Sequence, residues 1–127
     1  MTTGGCECGA VAFEVNNLRE TVTVCHCSQC RRTSGHLWAS TRAALDDLTF
    51  TRDAGLRWFA SSDIATRGFC ADCGSSLFYR LNGEDGIAIA AGCLDDTRGL
   101  RIGKHIFVGS KGDYYPAPDD APVHREG

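Results

Sequence analysis

The chain has 127 residues, 43% of them hydrophobic and 23% charged, the balance of one ordinary folded domain and not of a disordered segment. Its formal net charge of -3 leaves no overall electrostatic footprint for nucleic acid, which excludes a zinc-finger style DNA reader. No apolar run approaches the length that spans a bilayer, so no membrane partner is expected.

Met1-Thr2-Thr3-Gly4-Gly5 runs directly into a C-x-C pair, Cys6 and Cys8, without a basic and then apolar leader, and a cytoplasmic location is expected. Residues 9–15 alternate small or apolar side chains with others and predict a strand, closed by a turn at Asn16-Asn17. Residues 20–25 alternate cleanly, with Val22 and Val24 on one face and Thr21, Thr23 and Cys25 on the other. The two strands are expected to form a hairpin that delivers Cys25. In Cys25-His26-Cys27 an extended backbone sends both sulfurs to one face and His26 to the opposite one. Ser28 then caps one or two helical turns that carry Cys30 and end at Gly35.

Residues 36–41 and 48–51 predict strands joined by a polar excursion or short helix, and Asp53-Ala54-Gly55 is a turn. Residues 56–60 predict a further strand. Residues 65–69 lead into Cys70-Ala71-Asp72-Cys73-Gly74 and residues 76–81 lead out, placing a C-x-x-C at the tip of a hairpin. Gly74 suits that tip because it tolerates positive φ. Residues 82–86 form a turn, and residues 86–93 suit a buried strand with close neighbours. Trp38, Trp58, Phe59, Phe69 and Phe78 are expected in the core. The prediction is a mostly β, zinc-pinned single domain with short helical turns over residues 1–115. Residues 116–127, with all three prolines, form an irregular tail that is either a strap or a frayed end.

Eight cysteines could make a disulfide framework, but that pattern belongs to exported chains. Metal binding accounts for their spacing better. Zinc closes a structural site at four ligands, and Cys6, Cys8, Cys70 and Cys73 can supply them together. Cys25, Cys27 and Cys30 remain as a set of three, which keeps a zinc position for water or substrate unless Cys93, His105 or His36 completes it. Iron is the lesser alternative, since tetrahedral sulfur suits both metals.

Three thiolates on a divalent cation leave a charge of about -1, and a substrate thiol joining them would be held as thiolate. Such a sulfur is a ready nucleophile for a small aldehyde, and the reverse reaction cleaves a carbon–sulfur bond. Arg31 and Arg32 are candidates to bind a carboxylate of an anionic substrate, against the plainer reading of a solvated basic turn. His26 and His36 are candidates for proton transfer, against that of structurally satisfied or exposed histidines. Asp95-Asp96 reads as a turn cap.

Three stretches, G-G-C-E-C-G-A-V-A-F-E-V, C-H-C-S-Q-C-R-R-T-S-G and R-G-F-C-A-D-C-G-S-S-L-F-Y, followed by A-G-C-L-D-D and K-H-I-F, resemble the glutathione-dependent formaldehyde-activating enzyme family, which also includes centromere protein V. The resemblance implies a β-tent fold shared with methionine-R-sulfoxide reductases. It implies two zinc ions, one structural on Cys6, Cys8, Cys70 and Cys73 and one catalytic on Cys25, Cys27 and Cys30. The implied activity is a carbon–sulfur lyase reaction that joins glutathione and formaldehyde as S-hydroxymethylglutathione. Glu7 stands where relatives often have histidine, and Cys93 where they commonly have threonine.

Two other readings stand beside the lyase. One is a non-enzymatic zinc module with two closed sites that binds a protein. The other, methionine sulfoxide reduction, needs a reactive cysteine outside the metal sites, and the G-C-L-D-D around Cys93 does not resemble that family's active-site stretch.

Overall fold

The computed structural model describes residues 1–127. In chain order its elements are β1 (Thr2–Gly5), β2 (Ala12–Val15), β3 (Thr21–Cys25), α1 (Ser28–Ser34), β4 (Trp38–Ala44) and β5 (Leu48–Arg52). There follow β6 (Leu56–Ala60), β7 (Ala65–Cys70), β8 (Ser76–Leu81), β9 (Gly86–Ala90) and β10 (Arg101–Ile106). The fold is mostly β, as its strand-period patterning predicts. No helix is long and apolar enough to cross a membrane.

The strands form two sheets. A three-stranded sheet runs β1-β2-β5, and a seven-stranded sheet runs β10-β3-β4-β9-β8-β7-β6. The predicted hairpin of β2 with β3 is therefore corrected: β2 pairs with β1 and β5, whereas β3 pairs with β4 and, in parallel, with β10. Local alternation specifies which face of each strand is apolar, but the partner is chosen by surfaces far away in sequence. The strands at 36–41 and 48–51 likewise fall into different sheets. The 86–93 strand ends at Ala90, where a 3₁₀ turn over Ala91–Cys93 takes over.

The seven-stranded sheet uses its two faces differently. On one, Ala43, Phe78, Ile87 and Ile89 join Phe13 and Val15 of the small sheet in the main core. Phe78 is its hub. Its ring meets Phe13 edge-on at 5.4 Å and Phe50 edge-on at 5.6 Å, and stacks with Trp58 at 5.9 Å between centroids. Gly68 makes room for this, since a Cβ there would lie 2.9 Å from the Trp58 ring and 3.0 Å from that of Phe78. A bulge between β7 and β8 at this point lets both Leu77 and Phe78 be fully buried despite being adjacent.

Trp58 and Phe59 correct the expectation that they are core residues. They lie on β6, the edge strand, and are 44% and 57% exposed. The C-terminal tail is a strap. His105 N donates to the Pro122 carbonyl at 2.8 Å, His124 N to His105 O at 2.9 Å, and Phe107 N to Glu126 O at 3.0 Å, so residues 122–126 run along β10.

Because three aromatic contacts converge on Phe78, Phe78→Ala should destabilise the metal-loaded protein by about 3–5 kcal/mol. A urea unfolding series in which the midpoint moves as little as for a surface substitution would contradict this assignment of the hub.

Candidate metal centres and the cavity beside them

Cys6 and Cys8 follow β1, and Cys70 and Cys73 lie at the tip of the β7–β8 hairpin, yet their four sulfurs come within 4.8 Å of one another. Cys8 Sγ is 3.7 Å from Cys6 Sγ and 3.8 Å from Cys70 Sγ. The turns that hold them use glycine, Gly74 at φ +81° as predicted and Gly9 at φ +85° where a strand start is expected. Backbone donors face the sulfurs: Val11 N donates to Cys6 Sγ at 3.2 Å. The Ser75 hydroxyl ties the two halves by accepting from Glu7 N at 3.1 Å while lying 3.3 Å from Cys73 Sγ. A donor set of four cysteine sulfurs at this spacing fits a tetrahedral metal ion. It joins the small sheet to the large one.

Cys25, Cys27 and Cys30 form a second group, their sulfurs again within 4.8 Å of one another. Cys25 ends β3. The N-cap of α1 is Cys27 and not Ser28: its sulfur accepts from Cys30 N at 3.2 Å, a role that a serine hydroxyl usually plays. One helical turn then carries buried Cys30 back beside the other two, and Gly35 at φ +90° stops the helix. None of the three expected completing ligands belongs to this group. Cys93 donates to the Ala90 carbonyl at 3.0 Å, and burial pushes its thiol up to about 12. His36 pairs with the Tyr114 hydroxyl.

His26 occupies the face opposite the sulfurs, as alternation requires, and is 1% exposed. Its Nδ1 lies 2.6 Å from Tyr115 Oη, its Nε2 lies 2.9 Å from His105 Nδ1, and His105 Nε2 lies 2.7 Å from Asp120 Oδ1. The carboxylate only accepts, so His105 Nε2–H donates to Asp120, and with His105 in its neutral tautomer the other donors run the same way: Tyr115 O–H to His26 and His26 Nε2–H to His105. Burial, and then the neighbouring His105, pushes the His26 pKa down. The hydrogen bond from His105 holds the Asp120 carboxyl below its usual range.

A cavity of about 400 Å³ opens over the three sulfurs, with the outer face of the large sheet as its floor. Its lining includes Gln29, Trp38, Ser40, Arg67, Tyr79 and Ile106. Arg67 is only 6% exposed, and its Nη2 lies 3.5 Å from Cys30 Sγ. The Cys25 hydrogen bond, working against burial and helped by Arg67, pulls the Cys30 thiol down to about 6, while the same hydrogen bond and burial push Cys25 up. A larger groove, about 580 Å³, lies along Cys6, Ser34, Trp38, Cys93 and Asp95 and does not touch this sulfur cluster.

Arg31 and Arg32 sit on α1 outside the cavity lining, whereas Arg67 is the cation within it. The sequence reading overlooked Arg67. Its signal was a charged residue at an inward position of a strand, two residues after buried Ala65. Asp96 caps a turn as expected, its Oδ1 accepting from Arg98 N at 3.0 Å.

Residues 1–110 match the family described as glutathione-dependent formaldehyde-activating enzyme. A Schizosaccharomyces pombe protein named as an uncharacterised lyase is 25% identical over 117 residues, covering 88% of this chain and 82% of its own. A Rhodobacter sphaeroides protein of known crystal structure superposes with a TM-score of 0.60 at 29% identity, over 73% of this chain and 87% of the other.

The one-way donor chain separates two substitutions behind the cluster. Tyr115→Phe leaves the buried His26 Nδ1 without a donor and should cost about 1–3 kcal/mol. Asp120→Asn retains a carbonyl acceptor on a half-exposed side chain and should cost under about 1 kcal/mol. Equal losses in denaturant titrations would rule out this proton assignment.

Proposed function

The chain belongs to the glutathione-dependent formaldehyde-activating enzyme family, and on that premise we propose that it is a zinc-dependent carbon–sulfur lyase. Its reaction joins a small thiol of the glutathione type to an aldehyde such as formaldehyde, or releases them from the S-hydroxymethyl adduct. The observation that carries this reading is the group of three sulfurs, without a fourth protein ligand, lining a 400 Å³ cavity. We assign one structural zinc to Cys6, Cys8, Cys70 and Cys73, and one catalytic zinc to Cys25, Cys27 and Cys30. The same membership supports reading residues 1–115 as a β-tent domain with residues 116–127 as its tail.

Zinc bound by three thiolates supplies a position at which an incoming thiol is kept deprotonated. The rest of the work falls to the chain. Arg67, 3.5 Å from Cys30 Sγ, offsets the negative charge of the sulfurs, so that an anionic thiolate can enter a site that would otherwise repel it. Trp38, Ala88 and Ile106 line the cavity with apolar surface, which lowers the local dielectric and strengthens that attraction. Arg31 and Arg32, on the helix that carries Cys30, are the cations we assign to the carboxylates of the thiol's remaining body.

The competing reading, a protein-binding module with both sites closed, requires a fourth ligand at the central cluster. Cys93 was its best candidate. That sulfur hydrogen-bonds a backbone carbonyl outside the group, which favours the open site.

Native mass spectrometry of the purified protein tests the assignment. Two zincs per chain and a glutathione adduct are expected. Cys27→Ser should lose one zinc and the adduct, whereas Cys73→Ser should lose thermal stability first, because a structural metal contributes to folding directly. Two zincs with no adduct for any small thiol would replace the lyase with the binding module.

A further inference from the structure

Two residues that line the cavity carry buried N–H donors with nothing to donate to. Arg67 and Trp38, 6% and 7% exposed, both line it, and Arg67 Nη1 and Trp38 Nε1 are buried without a hydrogen-bond partner. Elsewhere the guanidinium is fully engaged. Its Nε and Nη2 both donate to Gln29 Oε1, at 3.1 and 2.9 Å, and Nη2 also reaches Cys30 Sγ. Gln29 is held in turn by donating from Nε2 to the Ser61 carbonyl at 3.0 Å. The Tyr79 ring, across the β7–β8 ladder, lies 4.9 Å from Arg67 Cζ, and the Trp38 ring lies 5.7 Å from it. A guanidinium fixed on this many sides cannot swing out to find water.

Unpaired buried donors are rare because each forgoes a hydrogen bond that water would supply, and at a reactive site they imply an acceptor that arrives with the ligand. The sulfur of a thiol cannot be that acceptor, since the three cysteines direct it to the cluster itself. An oxygen one carbon away from the sulfur can. Resting on the thiol–aldehyde reading above, we propose that Arg67 Nη1 and Trp38 Nε1 form the oxyanion hole of this enzyme, receiving the aldehyde oxygen as the carbon–sulfur bond forms.

The step balances without oxidant or reductant. The thiolate sulfur forms a bond to the carbonyl carbon, and the π pair of the C=O bond moves onto oxygen, which becomes an alkoxide beside the two donors. That oxygen then takes one proton, matching the one the thiol released on becoming thiolate. Thiol plus aldehyde gives the hemithioacetal, and the reverse path returns both. Rigid donors aimed at the developing charge need no reorganisation during the reaction, which is what makes such holes effective.

Two small probes separate the oxygen from the sulfur. Thioacetate carries an oxygen one carbon from its sulfur, as the hemithioacetal does, whereas ethanethiol carries none. In the 15N-labelled, zinc-loaded protein, two indole N–H signals are expected, and loss of one in Trp38→Phe identifies Trp38. Thioacetate should move that signal downfield and ethanethiol should not. Trp38→Phe removes the indole N–H together with part of the ring, and Arg67→Lys keeps the charge but loses the fork. Both should retain two zincs while lowering the thioacetate-to-ethanethiol affinity ratio, by roughly 3- to 10-fold. Formaldehyde turnover should fall about 100-fold with little change in the KM for the thiol. If both thiols bind but the indole signal stays still and the ratio is unchanged in both variants, the oxyanion hole is wrong and the thiol site stands. If neither thiol binds the wild-type protein, the lyase reading fails and this proposal fails with it.

Discussion

In an extended backbone successive side chains leave on opposite faces, and at Cys25-His26-Cys27 this one rule divides the molecule in two. The sulfurs go to the outer face of the large sheet, where Thr23, Ser40, Tyr79, Ala88 and Arg67 also project and a cavity is left open. The imidazole goes to the other face and meets His105, Tyr115 and Asp120 from the end of the chain. One tripeptide thus presents chemistry on one side and is anchored on the other. The anchor matters because Cys27 is already leaving the strand to cap a helix, and a backbone at such a junction would otherwise be free to tilt.

The two sulfur clusters solve different electrostatic problems. Four thiolates on a divalent ion would leave a charge of about -2, and here Cys8 and Cys73 are exposed, so water and backbone N–H groups can carry it. Three thiolates would leave about -1 in a half-buried place, where water cannot help as much. Arg67 supplies the missing cation from a strand 37 residues away. A buried guanidinium without counter-charge would be costly, and so would the buried thiolates without a cation. Each makes the other tolerable, and the pair leaves a nearly neutral pocket. On the proposed function, that balance would let the central cluster admit another anion while the peripheral one crosslinks the sheets.

Much of this was legible in the sequence, and the reason is that it is local. Strand periods, the glycine-stopped helix, the hairpin under Cys70 and Cys73 and the opposition of His26 to the sulfurs all follow from rules that act over a few residues. The cysteine spacing alone divided seven of the eight into the two groups that the fold brings together. Pairing was not legible. The supposed β2–β3 hairpin failed because both strands find better partners at a distance, and β10 was missed because Gly103 interrupts a short, polar stretch that becomes a strand only against β3. Thr2-Thr3-Gly4-Gly5 is a poor strand by composition and is recruited by pairing with β2. Trp58 and Phe59 looked like core because of their size, but an edge strand has only one neighbour to cover them.

Arg67 is the instructive omission, since its neighbours in sequence give it no role. Arg31 and Arg32 adjoin the cysteines along the chain and so drew attention, but adjacency on a helix turns them outward from the sulfurs' cavity. Arg67 is separated from β3 by three strands, with Tyr79, Ala88 and Ser40 on the same face between them, and it meets the cluster because α1 brings Cys30 Sγ to within 3.5 Å of its guanidinium. A contact between a sheet face and a helix packed on it leaves no trace in the spacing along the chain. A buried arginine on a strand therefore points to a charge elsewhere on its face, and for Arg67 that charge is the sulfur cluster, reached through Cys30 on α1.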